Sequence, residues 1–169
     1  RRKKHDLRVE SYGEVDEANS CIGLVRQHLA EHPDLDKMLV RIQNDLFDLG
    51  ADLATPETGK KLDYEPLRIA QSQVDRLEQE IDRLNVDLEP LRSFVLPGGT
   101  PAAAALHLAR TVARRAERRI VALQGSEGEA VSAAAVAYIN RLSDFLFVAA
   151  RWVNDKGRTD ILWVPGQNR

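Results

Sequence analysis

The chain has 169 residues, the size of one compact domain, and residues 1–169 are expected to form a single domain. Its 24 lysine and arginine residues against 26 aspartate and glutamate residues give a formal net charge of −2, so general nucleic-acid binding is not expected. A single cysteine excludes a disulfide framework and a thiolate metal site, and no apolar run approaches a membrane span, so neither a metal nor a membrane partner is expected.

Apolar residues recur at helical spacing in five segments, each bounded by a helix start or stop signal. The segments run from Ser11 to Leu29, from Asp34 to Thr55, from Leu67 to Leu88, from Thr100 to Gly125 and from about Glu129 to Asn154. Ser11 and Glu14 form a plausible capping box, which places Asp16 in the first turn, where the helix dipole alone favours a carboxylate. The pattern predicts an all-α, antiparallel five-helix bundle, with four core helices and the third covering them from outside.

The connector before the fourth predicted helix ends in the unusual segment Phe94-Val-Leu-Pro-Gly-Gly. Its glycine pair permits backbone conformations closed to other residues, and Pro97 fixes one dihedral angle. Phe94 is expected to be buried somewhere. Either the connector packs against its own bundle, or it faces a ligand.

The fourth predicted helix carries five arginines and one glutamate between residues 110 and 119. Four of these residues fall within an arc of about 100°, beside an apolar stripe: Arg110, Arg114, Glu117 and Arg118. Arg115 and Arg119 are expected to point to solvent. Guanidinium groups fixed by packing beside a carboxylate form an anion clamp, whereas the simpler interpretation is a solvated basic face with weak ion pairs. His107, one turn earlier, is more typical of a packed histidine than of a catalyst.

The fifth predicted helix places four side chains on a stripe away from its leucine seam: Asn140, Asp144, Phe147 and Arg151. An amide above a carboxylate is able to orient a sugar or a base, or to hold the arginines of a neighbouring helix. A polar network that keeps the bundle in register explains the same pattern equally well.

Four segments with these features occur in a specific order and spacing. They are Tyr-Gly-Glu-Val-Asp-Glu at 12–17, Phe-Val-Leu-Pro-Gly-Gly at 94–99, Leu-His-Leu-Ala-Arg-Thr-Val-Ala-Arg-Arg-Ala-Glu-Arg at 106–118 and Ile-Asn-Arg-Leu-Ser-Asp at 139–144. Together they resemble the PduO-type ATP:cob(I)alamin adenosyltransferases, and Asp-Leu-Phe-Asp-Leu-Gly-Ala-Asp-Leu-Ala-Thr-Pro at 45–56 also matches. The similarity extends from about Leu7 to Trp152, and the combination is far more specific than any one segment.

This resemblance implies a cytoplasmic homotrimer of five-helix bundles with active sites between adjacent subunits. The implied enzyme transfers the 5′-deoxyadenosyl group of ATP, supplied with Mg²⁺, to the cobalt of cob(I)alamin, forming adenosylcobalamin and releasing triphosphate. Cobalt(I) is the nucleophile, so the protein has only to orient ATP and neutralise the leaving group. The resemblance also implies a reductase and an adenosylcobalamin-dependent acceptor enzyme as possible partners.

The same resemblance implies roles for residues at the subunit boundary and at the corrinoid. Arg110 would pair with Asp16 of an adjoining subunit. Phe94 would press on the lower face of the corrinoid and displace its axial base, leaving a four-coordinate cob(II)alamin that is easier to reduce. Phe147 would line the same hydrophobic cavity.

The implied nucleotide site consists of Arg114 at the phosphates, Glu117 and Arg118 completing the pocket, and Asn140 at the nucleoside. Members of the family usually carry a Thr-Lys/Arg-Thr-Gly-Asp-x-Gly segment that wraps the triphosphate. Here the chain opens at Arg-Arg-Lys-Lys, roughly where that segment ends, so this ATP-binding segment is expected to be absent from residues 1–169.

Two alternatives to catalysis remain open from the sequence. One is a non-catalytic trimeric helical scaffold whose arginine helix docks on an acidic partner or on nucleic acid, although the overall charge argues against nucleic acid. The other is a storage or delivery protein that binds adenosylcobalamin and leaves ATP unconsumed.

Overall fold

A computed structural model describes residues 2–57, 59 and 63–169, and Arg1, at the opening of the chain, lies outside them. The five helices of this described part are α1 (Leu7–Arg26), α2 (Pro33–Ala54), α3 (Gln71–Asn85), α4 (Pro101–Gln124) and α5 (Ala133–Trp152). One isolated antiparallel bridge, between Val95 and Leu162, is the only β-pairing among the described residues. The predicted all-α class is therefore confirmed.

Helices α1, α2, α5 and α4 surround an apolar core. Helix α1 packs against α2 and α4, α4 packs against α5, and α2 touches α5, which closes the ring. Helix α3 packs along the outside of α5. It also reaches α2 through two ion pairs, Arg41–Glu80 and Arg76–Asp45. The predicted five-helix bundle is therefore confirmed, with α3 packed on the other helices through Val74, Leu77 and Leu84, which are buried in the core.

The first helix begins earlier than the capping box predicted. Asp6 caps it, because its carboxylate accepts the backbone N–H of Arg8 at 2.9 Å. Ser11 is instead buried within the helix, where its hydroxyl donates to the carbonyl of Leu7 at 2.8 Å. The capping box was therefore wrong, and Asp16 lies well beyond the first turn, so the helix dipole does not explain it.

A buried ion pair explains why α1 extends back to Leu7. The side chain of Arg8 is buried and donates to Glu129 at 2.6 Å and to the carbonyl oxygen of Leu53 at 2.7 Å. These contacts tie the start of α1 to the end of α2 and to the connection between α4 and α5. Hydrogen bonds from Arg2 and then Arg8 lower the pKa of Glu129, against its desolvation.

Local signals predicted the start of α4 correctly, and tertiary contacts shortened α3. The hydroxyl of Thr100 accepts the backbone N–H of Ala103 at 3.1 Å, directly before Pro101. Ahead of α3, the carboxylate of Asp52 accepts the backbone N–H of Ile69 at 2.9 Å. This bond holds the chain extended, and the third helix starts after it rather than after Pro66.

Helix α5 corrects the expectation that no apolar run approaches a membrane span. Within the described part of the chain, this helix of 20 residues contains a window with a mean hydropathy of 1.3, so it is long and apolar enough to cross a bilayer. Half of that window is buried within the bundle. Core helices of water-soluble proteins meet the same criteria, so this is weak evidence for a membrane.

Candidate functional site

The connector that carries Phe94 is held by the segment that follows α5. Residues 93–96 run antiparallel to residues 161–163. The backbone N–H of Trp163 donates to the carbonyl oxygen of Phe94 at 2.7 Å, and the hydroxyl of Ser93 donates to the carbonyl oxygen of Trp163 at 2.7 Å. The two aromatic rings lie 5.8 Å apart at 54°. The C-terminal segment therefore fixes the position of Phe94.

The glycine pair fastens the other end of the connector. Gly98 and Gly99 have φ angles of 150° and 103°, which other residues rarely adopt, as predicted. A Cβ atom on Gly99 would collide with the side chain of Asn154. That asparagine accepts the backbone N–H of Thr100 at 3.0 Å and thereby docks the start of α4 on the end of α5.

An open cavity of about 710 Å³ lies between the connector, α4, α5 and the C-terminal segment. It is lined by Leu91, Arg92, Ser93, Phe94, Val95, Arg110, Phe147, Trp163 and Pro165. The structure thus brings together three of the predicted residues, Phe94, Arg110 and Phe147. Phe94 is 76% exposed rather than buried, so the connector presents its ring outward. Aromatic walls with few polar groups are typical of a site for a large, mostly apolar ligand.

On α4, Glu117 of the predicted clamp lies beside Asn140, the predicted nucleoside residue. The amide of Asn140 on α5 donates to the carboxylate of Glu117 at 2.7 Å. Arg114 and Arg118 are exposed, and neither has a carboxylate partner among the described residues. Their guanidinium groups are therefore available to an anion.

The opposite side of α4 differs from the prediction. Arg115 donates to Glu14 at 2.5 Å and also pairs with Glu17, while Arg119 lies 3.6 Å from Glu10. These carboxylates belong to α1, which packs against this side of α4. Hydrogen bonds to Glu17 and then Glu14 raise the pKa of Arg115. Arg119 is exposed, as predicted, whereas Arg115 is held by carboxylates of α1 rather than free in solvent.

Asp16 lies apart from the cavity that contains Arg110. It is exposed on α1 and lines a groove of about 490 Å³ between α1 and α2. The same groove contains Phe47, which is 71% exposed. Arg110 has no carboxylate partner among the described residues of its own chain. Burial, and then the charge of Arg114, lower the pKa of Arg110.

The polar stripe on α5 divides into separate contacts. Asp144 accepts from Arg141 of its own helix at 2.9 Å. Arg151 is buried and donates to Asp160 of the C-terminal segment at 2.8 Å. Of the polar residues on this stripe of α5, only Asn140 bonds to α4, through Glu117. The stripe is therefore neither one ligand site nor one interhelical network.

Sequence reasoning missed Trp163, whereas its interpretation of His107 as a packed histidine agrees with the structure. Trp163 follows α5 in the short apolar run Ile-Leu-Trp-Val-Pro, a signal that would have suggested a segment packed against the bundle. His107 is only 2% exposed and lies edge-on to Phe147, with ring centroids 6.3 Å apart. It therefore packs directly behind the cavity wall.

Comparisons with known proteins agree with this geometry. The family model of cobalamin adenosyltransferases matches residues 1–153. The chain belongs to the cobalamin adenosyltransferase family. It is 50% identical to the corrinoid adenosyltransferase of Mycobacterium tuberculosis over 98% of this chain and 84% of that protein. It is 46% identical to that of Bacillus subtilis, over 91% of this chain and 78% of that protein.

Solved structures of this family share the fold. A variant PduO-type ATP:corrinoid adenosyltransferase from Lactobacillus reuteri, complexed with cobalamin and ATP, superimposes with a TM-score of 0.83. It is 40% identical and covers 96% of this chain and 88% of its own. The predicted family and enzyme class are confirmed. The roles assigned to individual residues remain predictions.

Proposed function

We propose that this protein transfers the 5′-deoxyadenosyl group of ATP to the cobalt of cob(I)alamin. The electron pair of cobalt(I) forms the cobalt–carbon bond, the bond from C5′ to oxygen breaks, and inorganic triphosphate leaves. The observation that carries the proposal is the position of Arg110 in the wall of the aromatic cavity with Phe94 and Phe147. A basic helix face and an apolar cavity meet there, which suits a reaction between a polyphosphate and a corrinoid.

The aromatic cavity is proposed to hold the corrinoid. Phe94 presents an exposed ring that its contact with Trp163 and the antiparallel pairing of the connector keep in place. An apolar ring against the lower face of the corrinoid leaves no room for an axial base. The resulting four-coordinate cob(II)alamin has a lower-lying acceptor orbital, so a reductase delivers the electron more easily. Phe147 covers the corrinoid from α5.

The open face of α4 is proposed to hold the triphosphate. Arg114 and Arg118 lie one turn apart, without carboxylate partners among the described residues, and guanidinium groups bind phosphate oxygens strongly. Cationic donors already in place at a leaving group stabilise the charge that develops there. Glu117 fixes the amide of Asn140 at 2.7 Å, and that amide contacts the nucleoside. Mg²⁺ is proposed to enter the site together with ATP, as part of the substrate.

We propose that the active protein is a homotrimer. We also propose that it acts in the cytoplasm, where ATP and a reductant are supplied. Arg110 lacks a carboxylate partner among the described residues of its chain, and Asp16 lies exposed in a different groove beside the exposed ring of Phe47. A pair between Arg110 and Asp16 of the adjoining subunit satisfies both groups and places the site at a subunit boundary. An adenosylcobalamin-dependent enzyme then consumes the product.

The decisive experiment mixes the protein, ATP, Mg²⁺ and cob(I)alamin without oxygen. We expect the absorption spectrum of cob(I)alamin to change to that of adenosylcobalamin, with one triphosphate released for each cobalt alkylated. Binding of added adenosylcobalamin without ATP consumption would support a delivery protein instead. A protein that binds neither corrinoid nor ATP would fit the scaffold alternative.

A further inference from the structure

His107 is the one buried histidine beside the cavity, and its two ring nitrogens are in different environments. The Nε–H of Arg110 donates to Nδ1 of His107 at 3.4 Å. Nε2 of His107 is buried and has no hydrogen-bond partner among the described residues. Because Nδ1 accepts a hydrogen bond, the ring is neutral and its proton is on Nε2.

This arrangement is unusual because it leaves a buried N–H group unpaired. A buried donor without an acceptor is destabilising, so such a group in a native structure calls for an explanation. The site benefits here because the lone pair of Nδ1 points to the one arginine that lines the cavity at this turn of α4. At 3.4 Å the bond is long, so its main effect is on the orientation of the guanidinium group.

We propose that His107 is a positioning residue that holds Arg110 by its Nε–H and directs the remaining guanidinium nitrogens toward the neighbouring subunit. The proposal rests on the proposed function, because it assigns those nitrogens to Asp16 of the adjoining subunit. Phe147 supports the imidazole from α5 with an edge-on contact at 6.3 Å. His107 itself does not line the cavity, so it acts on the reaction only through Arg110.

The neutral ring is maintained by its surroundings. Burial, and then the positive charge of Arg110, lower the pKa of His107, whereas the carboxylate of Asp160 in the C-terminal segment raises it to a smaller extent. Burial and the charge of Arg110 therefore both favour the neutral imidazole. As the pH falls through this lowered pKa, Nδ1 gains a proton, the acceptor is lost, and two cations face each other. The rate of adenosyl transfer should then decline at pH values below the pKa of His107.

Two substitutions separate this role from packing. His107→Leu keeps the apolar volume and removes the acceptor, and we expect it to lower kcat by about twofold to tenfold, the range of one long, weak hydrogen bond. His107→Asn keeps an acceptor oxygen close to the position of Nδ1 but does not titrate. We expect it to retain most of the kcat at pH 7 and to lose the acid limb of the pH profile. His28→Asn, at an exposed histidine outside the site, is the matched control and should change neither quantity.

The outcomes are distinct from those that test the proposed function. His107→Asn with a kcat as low as that of His107→Leu would show that the ring only packs, and an unchanged pH profile in both variants would also overturn the proposal. Nitrogen-15 NMR of the imidazole supplies a test without turnover: we expect a neutral ring protonated on Nε2 at pH 7, and a proton on Nδ1 would overturn the assignment. A wild-type protein without adenosyl transfer but with this tautomer would refute the proposed function and leave the contact between His107 and Arg110 intact.

Discussion

Two sides of α4 carry arginines, but in different environments. On one side, Arg115 and Arg119 are neutralised by carboxylates of α1 in the same chain. On the other side, Arg114 and Arg118 have no carboxylate partner among the described residues. Arginine content therefore does not identify the functional face. We propose that the lack of a carboxylate partner among the described residues does, since such arginines are available to a ligand or to another subunit.

The comparison assigns a different consequence to each face. The paired face joins α1 to α4 and should affect stability alone. The open face is continuous with the cavity through Arg110 and should affect catalysis and assembly. The predictions that follow test that division.

The largest expected effect belongs to Arg114. Arg114→Ala should lower adenosyl transfer by about tenfold to a hundredfold, because a contact to a charged group contributes about 1.5–3 kcal/mol and this one acts mainly in the transition state. Steady-state kinetics with cob(I)alamin measure the effect. Arg119→Ala removes an arginine from the paired face of the same helix and should leave kcat within twofold of wild type. Equal losses in both variants would contradict the division.

Asp16 tests whether the open face extends across a subunit boundary. Asp16→Asn should leave Arg110 without its partner and weaken the trimer by about 2 kcal/mol per interface, or about thirtyfold in dissociation constant. Sedimentation equilibrium measures this. Glu17→Gln is the control, because Glu17 pairs with Arg115 of its own chain. If the Asp16→Asn variant stays trimeric down to the same protein concentration as wild type, the proposed pair does not exist.

Phe94 tests the corrinoid end of the cavity. Phe94→Ala should lower turnover with cob(II)alamin and a reductant by about tenfold more than turnover with pre-reduced cob(I)alamin, a difference of about 1.4 kcal/mol in the reduction step. The reason is that the exposed ring excludes the axial base, which matters only before reduction. Parallel assays with the two corrinoids check it. Equal losses in both would show that Phe94 only packs against Trp163.

The smallest expected effect belongs to Arg115, on the paired face. Its ion pairs with Glu14 and Glu17 are partly exposed, so Arg115→Ala should lower the free energy of unfolding by less than about 1 kcal/mol. Urea denaturation measures this change. The kcat should stay at the wild-type value. A large loss of activity with little loss of stability would place Arg115 in the site.

Local signals predicted the parts of the fold that depend on neighbouring residues. Thr100 and Pro101 fix the start of α4 by a cap and a preset dihedral angle, and both are visible in the sequence. Ser11 offered an equally good local signal and was wrong. Asp6 caps the helix instead, since the buried contacts of Arg8 with distant residues favour the earlier start.

The site was predicted where residues share one helix face, and missed where distant segments meet. The arc of Arg110, Arg114 and Glu117 follows from helical spacing alone. Which helix covers Arg115 depends on the packing of α1, which periodicity does not specify. Trp163 reaches Phe94 only because the chain reverses direction after α5.

The most direct test of this division is a crystal structure of the protein with ATP and cob(II)alamin. We predict that the triphosphate lies within hydrogen-bonding distance of Arg114, and that the corrinoid lies against Phe94 at a boundary formed with Asp16 of the adjoining subunit. Phosphates bound at Arg115 or Arg119, or an Arg114 side chain in solvent with both ligands bound, would contradict the account.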